Sequence, residues 1–194
     1  MPSVFSHAIV GSTLVACGVS RPRASLVALG AALAVVPDLD VVGLAVGWGL
    51  DHPLGHRGLS HSLVAAAALA AVTTFALPPR PGESRWRLWL VLALAAASHG
   101  LLDAFTNGGR GVAFFAPFVE TRWHFPARPI EVSPIGVWSF FSRRGVEVLT
   151  NEVVWLWAPS LVALAASRAF RRSSGRQPAP ASDPRMPAAR GPGR

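Results

Sequence analysis

The sequence predicts an all-α fold: an integral-membrane helical bundle of about five apolar helices with a metal site at one end. Three observations carry that prediction. First, 51% of the 194 residues are hydrophobic and only 14% are charged, with a mean hydropathy of +0.40. That balance is high for a soluble domain. Second, Ser62–Leu77 has almost no polar face, and a helix that is apolar all round belongs in a large core or in lipid. Third, His and Asp residues sit at the boundaries of the apolar runs, where ionisable groups are expensive unless used.

Taken in order, Ala8–Val19 is a short apolar run rich in small residues, and Arg21-Pro22-Arg23 breaks it. Ala24–Val36 is apolar and stops at Pro37, with Asp38 and Asp40 next. Val41–Leu50 is apolar but carries Gly43, Gly47 and Gly49, and is too short to span a bilayer, which needs about 20 helical residues. It reads as a re-entrant or interfacial piece. Asp51–Ser60 is a polar loop. Ser62–Leu77 is a helix with Ser62 as its N-cap. Pro78–Arg87 is a Pro/Arg loop and Leu88–Asp103 the next helix. Ala104–Glu152 is long and mixed, and Val153–Ser167 is the last apolar helix. Residues 1–172 form one membrane-embedded domain, and residues 173–194 a basic, Pro/Ala-rich tail whose composition suits disorder. The N-terminus lacks the positive n-region of a signal peptide, so no cleavage is expected. Cys17 is single, which excludes an intramolecular disulfide. A very apolar soluble bundle is the competing reading, but a chain of this size has little core in which to bury such helices.

If the four flanking helices cross alternately, His7, Asp38, His61 and Asp103 fall at the same end. The opposite end, with the tail, then holds most of the arginines against only Glu83 and Asp183. Arg enrichment marks the cytoplasmic side. The site is therefore expected to face outside a multi-pass inner or plasma membrane protein, with the C-terminal tail cytoplasmic. Topology also explains the net charge of +8, so no nucleic-acid partner is expected; the lipid bilayer is the expected partner, and the oligomeric state stays open.

His99 and Asp103 are four apart on a helix and so share a face, which lets an imidazole and a carboxylate bind one ion. In His56-Arg57-Gly58-Leu59-Ser60-His61-Ser62, His61 is the better ligand, and His56 is a ligand or a partner of one. Either Asp38 or Asp40 suits coordination, and His7 completes the set. Imidazole plus carboxylate donors without thiolate suit zinc, manganese or iron. The donors exceed what one tetrahedral ion needs, and two bridged ions would use them. Arg57 and Arg122 are candidate contacts for an anionic substrate; Arg122 equally suits an interfacial anchor.

These motifs resemble the YdjM-like family of membrane-bound, metal-dependent hydrolases. The likeness rests on His7, Val36–Asp40, His56–Ser62, Ser98–Asp103, Thr106–Gly109 and Arg122–Pro126, in order over roughly residues 1–130. The string from His56 to Ser62 is its most specific part. That family is distantly similar to zinc-dependent phospholipase C, all-α enzymes with a cluster of metals on His and Asp. The resemblance implies His7, Asp38, His61, His99 and Asp103 as ligands, with Asp103 bridging two zinc ions. It also implies hydrolysis of a phosphoester, a phospholipid among the candidates, through a metal-activated water; Asp38 or Asp40 is expected to orient that water, and Asp38, Asp40 and Asp103 are the candidate catalytic carboxylates. The chain departs in lacking a further His/His/Glu set for a third metal, since His52 and His124 have no helical Glu partner. The alternatives are a non-catalytic membrane protein with a structural or sensory metal site, and an ion transporter. Transport would need the same residues spread in depth.

Overall fold

The apolar runs become helices because a helix satisfies every backbone polar group within its own segment, which an oily environment demands. In the computed structural model, residues 1–49, 52–78, 80–134 and 136–174 are described. Their regular structure is all helical, apart from isolated bridges pairing Thr106 with Ile130 and Val112 with Trp123. The expected tail falls almost wholly on residues 175–194, which lie outside the described residues.

Helix α1 spans Val4–Gly18, with His7 closing its first turn. Helix α2 spans Ala24–Val35. The α-helix stops just before Pro37 as expected, but the separate piece expected at Val41–Leu50 is corrected. A 3₁₀ turn at Val36–Val41 and a short helix α3, Val42–Ala45, continue from α2. Ala24–Ala45 is thus one apolar helical stretch of 22 residues. Pro37 is tolerated because it enters at the first turn of the 3₁₀ segment, where its missing N–H is not needed.

Helix α4 spans Leu63–Ala76, and Ser62 caps it as expected, its side chain accepting from Ala65 N at 3.0 Å. Helix α5 spans Arg85–Ala104. Within the long mixed segment lie α6, Val137–Phe140, and α7, Arg143–Glu152. Helix α7 runs through a π-helical turn at Val153–Trp157 into α8, Ala158–Ser174. The last apolar helix therefore begins at Arg143, well before the expected Val153, because the polar face of α7 hides its continuity with the apolar run.

Three stretches are long and apolar enough to cross a membrane: Ala24–Ala45, Arg85–Ala104 and Arg143–Ser174. Helices α1 and α4 are shorter apolar helices. Helix α1 packs on α2, α5 and α8, and α4 packs on α5. Their common core contains Val15, Leu26, Leu33, Ala70, Leu92 and Ala95. Outer faces leave Val72, Phe75, Leu161, Val162 and Phe170 exposed. Such outward apolar faces suit contact with lipid rather than water.

Helices α1 and α2 cross at glycine. A Cβ on Gly11 would lie 2.4 Å from Gly30 O and 2.5 Å from Ala34 Cβ. Neither neighbour is a flexible side-chain tip, so the helices must separate to admit one. Gly11→Val is expected to destabilise the protein by at least the ~1–3 kcal/mol typical of overpacking, read as a lower thermal midpoint in detergent. An unchanged midpoint would mean that this crossing is not held tightly.

The alternation places the start of α1, the 3₁₀ turn after α2, the entry to α4 and the end of α5 together. At the other end two arginines close helix C-termini. Arg85 Nη2 donates to Thr74 O at 2.6 Å, and Arg171 Nη2 donates to Ala16 O at 2.8 Å and Cys17 O at 2.9 Å. Cations there satisfy terminal carbonyls and complement the helix dipole.

Candidate metal centre

Four segments deliver the cluster. Helix α1 brings His7, the 3₁₀ turn Val36–Val41 brings Asp38 and Asp40, and a second 3₁₀ turn, Leu59–His61, brings His61. Helix α5 brings His99 and Asp103 from one face, as their four-residue spacing requires. Helix α5 reaches the His61 turn because of Gly100: a Cβ there would lie 2.8 Å from His61 O.

His7, His99 and Asp103 are fully buried. His7 stacks on His99 with ring centroids 3.8 Å apart. His7 Nε2 lies 3.5 Å from Asp103 Oδ1, and His61 Nε2 lies 3.5 Å from Asp103 Oδ2. His99 Nε2 lies 3.3 Å from Asp38 Oδ1 and 2.9 Å from His61 Nε2. Three overlapping triads have donor atoms within 4.8 Å of one another: His7/Asp38/His99, Asp38/His56/His61 and His61/His99/Asp103.

The tautomers follow from the partners. His99 Nδ1 faces Ala34 O at 2.7 Å. A carbonyl only accepts, so Nδ1 carries the proton and the Nε2 of a neutral ring offers its lone pair inward. His61 Nδ1 lies 3.1 Å from Asp40 Oδ2. It donates to that carboxylate, which leaves the same choice at Nε2. Two lone pairs then face each other at 2.9 Å, an arrangement that needs a cation or a proton between them. Burial lowers the His61 pKa, but hydrogen bonds and charge from Asp103 and Asp40 outweigh it and raise the pKa to about 9. Proton and metal therefore compete for one place. Both nitrogens of His7 and both carboxylate oxygens of Asp38 are buried without a hydrogen bond among the described residues, and the buried Asp103 has an ion pair to Arg57 Nε at one oxygen, Oδ2, with no such cation at Oδ1. Native proteins rarely leave so many buried polar atoms together without a missing partner. The donor set of neutral imidazoles and carboxylates fits a divalent transition metal.

Asp40 plays a different part from Asp38. Its Oδ1 lies 2.7 Å from His56 Nδ1, and its Oδ2 accepts from Arg57 N at 3.3 Å and Ser60 Oγ at 2.5 Å, besides facing His61. It orients two imidazoles by their outer nitrogens, the usual carboxylate–histidine–metal support. Asp40→Ala is expected to weaken metal binding by about 10–100-fold without abolishing it, checked by competition with a chelating dye. Wild-type affinity in that variant would remove Asp40 from the site.

Arg57, offered by the sequence as a substrate contact, is buried and engaged internally. Its Nε lies 2.9 Å from Asp103 Oδ2, Nη1 donates to Gly108 O at 3.2 Å and Arg110 O at 2.7 Å, and Nη2 donates to Thr106 Oγ1 at 3.1 Å. Its backbone takes the left-handed region, with φ +66°, which turns the side chain inward. Arg122 Nη1 donates to His56 O at 3.2 Å, so it braces the loop carrying His56. His52 lies apart, stacked on Trp48 with centroids 5.1 Å apart.

Sequence reasoning missed three supports: Ser60, the Ala34 carbonyl and Glu152. Glu152 is fully buried and accepts from Ser3 N, Ser3 Oγ and, at 2.7 Å, Ser6 Oγ. Trp157 Nε1 also donates to Ser6 Oγ at 2.8 Å. This knot ties the start of α1, and so His7, to the turn between α7 and α8. Its only local signal is an acid at the edge of an apolar run.

A match to the YdjM inner membrane protein family spans residues 1–174. The chain is 33% identical over 171 residues to the inner membrane protein YbcI of Escherichia coli (strain K12), covering 84% of this chain and 94% of that protein. No solved structure matches the chain. The apolar helices, the buried His–Asp cluster and these likenesses agree that the chain belongs to the YdjM inner membrane protein family.

Proposed function

We propose that the cluster holds two divalent transition-metal ions and that the protein hydrolyses a phosphoester, with phospholipid as the leading substrate class. Zinc is the leading metal, with manganese or iron suited to the same donors. The observation that carries this reading is the pair of imidazole Nε2 atoms facing each other at 2.9 Å beside the buried carboxylate of Asp38, which lacks a hydrogen bond. His7, Asp38, His61, His99 and Asp103 would hold the ions, and His56 would join on the side of Asp38 and His61. Such ions supply Lewis acidity toward a phosphoryl oxygen and an activated water.

The chain's own residues do the rest. Asp40 keeps the protons of His56 and His61 on the outward nitrogens. Arg57 balances charge on Asp103. Asp38 is the least buried of the three site carboxylates, 12% exposed against 6% for Asp40 and 0% for Asp103. That exposure lies on its carbon atoms, since both oxygens are buried without a hydrogen bond; Asp38 would orient a water admitted into the cluster. The exposed aromatics Phe118, Trp138 and Phe141 lie on the segment after α5 and suit a bilayer interface. The arginines at the other end favour a site facing outside and a cytoplasmic C-terminus.

Burial of His7, His99 and Asp103 favours a second reading, a structural or sensory metal site, because a closed coordination shell does not turn over. Hydrolysis of bis-(p-nitrophenyl) phosphate and phospholipid vesicles by the full chain in detergent separates the two. The catalytic reading expects turnover that is lost after chelation and restored by zinc. Stoichiometric metal with no turnover across phosphodiester and phospholipid substrates would establish the second reading instead.

A further inference from the structure

The end of the bundle opposite the metal centre carries a cleft of about 760 Å³, lined by Val19, Arg21, Arg80, Glu83, Arg87 and Leu88 among others. Arginines at this end are of two kinds. Arg85 and Arg171 are consumed by helix-terminal carbonyls. Among the described residues, the guanidiniums of Arg21, Arg80 and Arg87 make no hydrogen bond or ion pair, not even with Glu83 in the same cleft. Three uncommitted guanidiniums around one concavity offer forks for phosphate oxygens. The first turn of α5 adds its positive dipole end there, with Ser84 at the cap.

The surroundings select a lipid as the source of that phosphate. Leu88 gives the cleft a buried apolar wall. Trp86, Leu90 and Leu94, one helical turn apart, are all exposed. They form an apolar stripe that starts at the level of the cleft and runs down α5 toward the middle of the bundle. Trp86 stacks on Trp89 with centroids 4.6 Å apart, as aromatics do at headgroup level. A phosphate held at Arg87 would have this stripe, on the adjoining face of α5, as a track for acyl chains.

We propose that this cleft binds the headgroup of an anionic phospholipid. The site is separate from the metal centre and stands whether or not that centre is catalytic.

The test follows the thermal midpoint of the full chain in a zwitterionic detergent while phosphatidylglycerol, phosphatidylcholine or inorganic phosphate is titrated. Phosphatidylglycerol is expected to raise the midpoint saturably, and phosphatidylcholine and inorganic phosphate are not. Arg21→Gln/Arg80→Gln/Arg87→Gln is expected to weaken that response by about tenfold or more. Arg168→Gln/Arg172→Gln, exposed at the same end but outside the cleft, is expected to change it by less than about twofold. An unchanged circular dichroism spectrum and lipid-free thermal midpoint in the triple variant confirm its fold, and Arg21→Gln alone serves if the triple variant does not fold. The proposal fails if the cleft variant responds like wild type or the control pair loses as much. It also fails if inorganic phosphate stabilises as well as the lipid, which would mark a free-phosphate site.

Discussion

Asp103→Ala is expected to lose bound metal and, with it, any hydrolysis. The carboxylate reaches His7 and His61 at 3.5 Å through different oxygens, so it is the group that joins the two sides of the cluster. Its loss should exceed the roughly 10–100-fold drop expected for an outer support such as Asp40. The alanine variant also leaves the Arg57 guanidinium buried without its carboxylate, a defect that typically costs about 3–5 kcal/mol. Asp103→Asn separates the effects. It preserves volume and an oxygen for Arg57 but removes the charge that a cation needs. Elemental analysis should find both variants depleted in metal, with the asparagine variant closer to wild type in thermal midpoint. Normal metal content in either would remove Asp103 from the ligand set.

Arg57→Ala is expected to act on stability before it acts on substrate. Four contacts tie this side chain to Asp103 and to the loop after α5. Removing it leaves Asp103 without its cation and takes one donor each from the carbonyls of Gly108 and Arg110. The expected loss is about 3–5 kcal/mol, seen as a lower thermal midpoint in metal-stripped protein and partly offset by added metal. Arg57→Lys should recover only part of it, since an ammonium cannot reproduce the planar fork. A variant with wild-type stability and a raised KM would return Arg57 to the substrate role suggested by the sequence.

Much of the site was legible because helix alternation is a parity argument. Short loops between apolar runs bring His7, Asp38, His61 and Asp103 to one end whatever the packing details, and the spacing of His99 and Asp103 fixes their shared face. The division of labour between Asp38 and Asp40 was not legible. Two carboxylates two residues apart differ only once the 3₁₀ turn sends one toward His99 and the other toward His56 and His61. The inward turn of Arg57 depends on a left-handed backbone that its own residue type does not signal. Glu152 stayed hidden because its partners, Ser3 and Ser6, lie at the other end of the chain. The helical continuation beyond α2 was masked by Pro37, a residue that usually ends helices but also begins 3₁₀ turns.

The central claim is that His7, Asp38, His61, His99 and Asp103 form a divalent-metal centre. Elemental analysis of the full chain, purified in detergent, loaded with zinc and freed of excess, tests it most directly. The expected result is about two ions per wild-type chain and near-complete loss in His99→Ala. A folded wild-type chain without stoichiometric metal, or undiminished metal in His99→Ala, would contradict it.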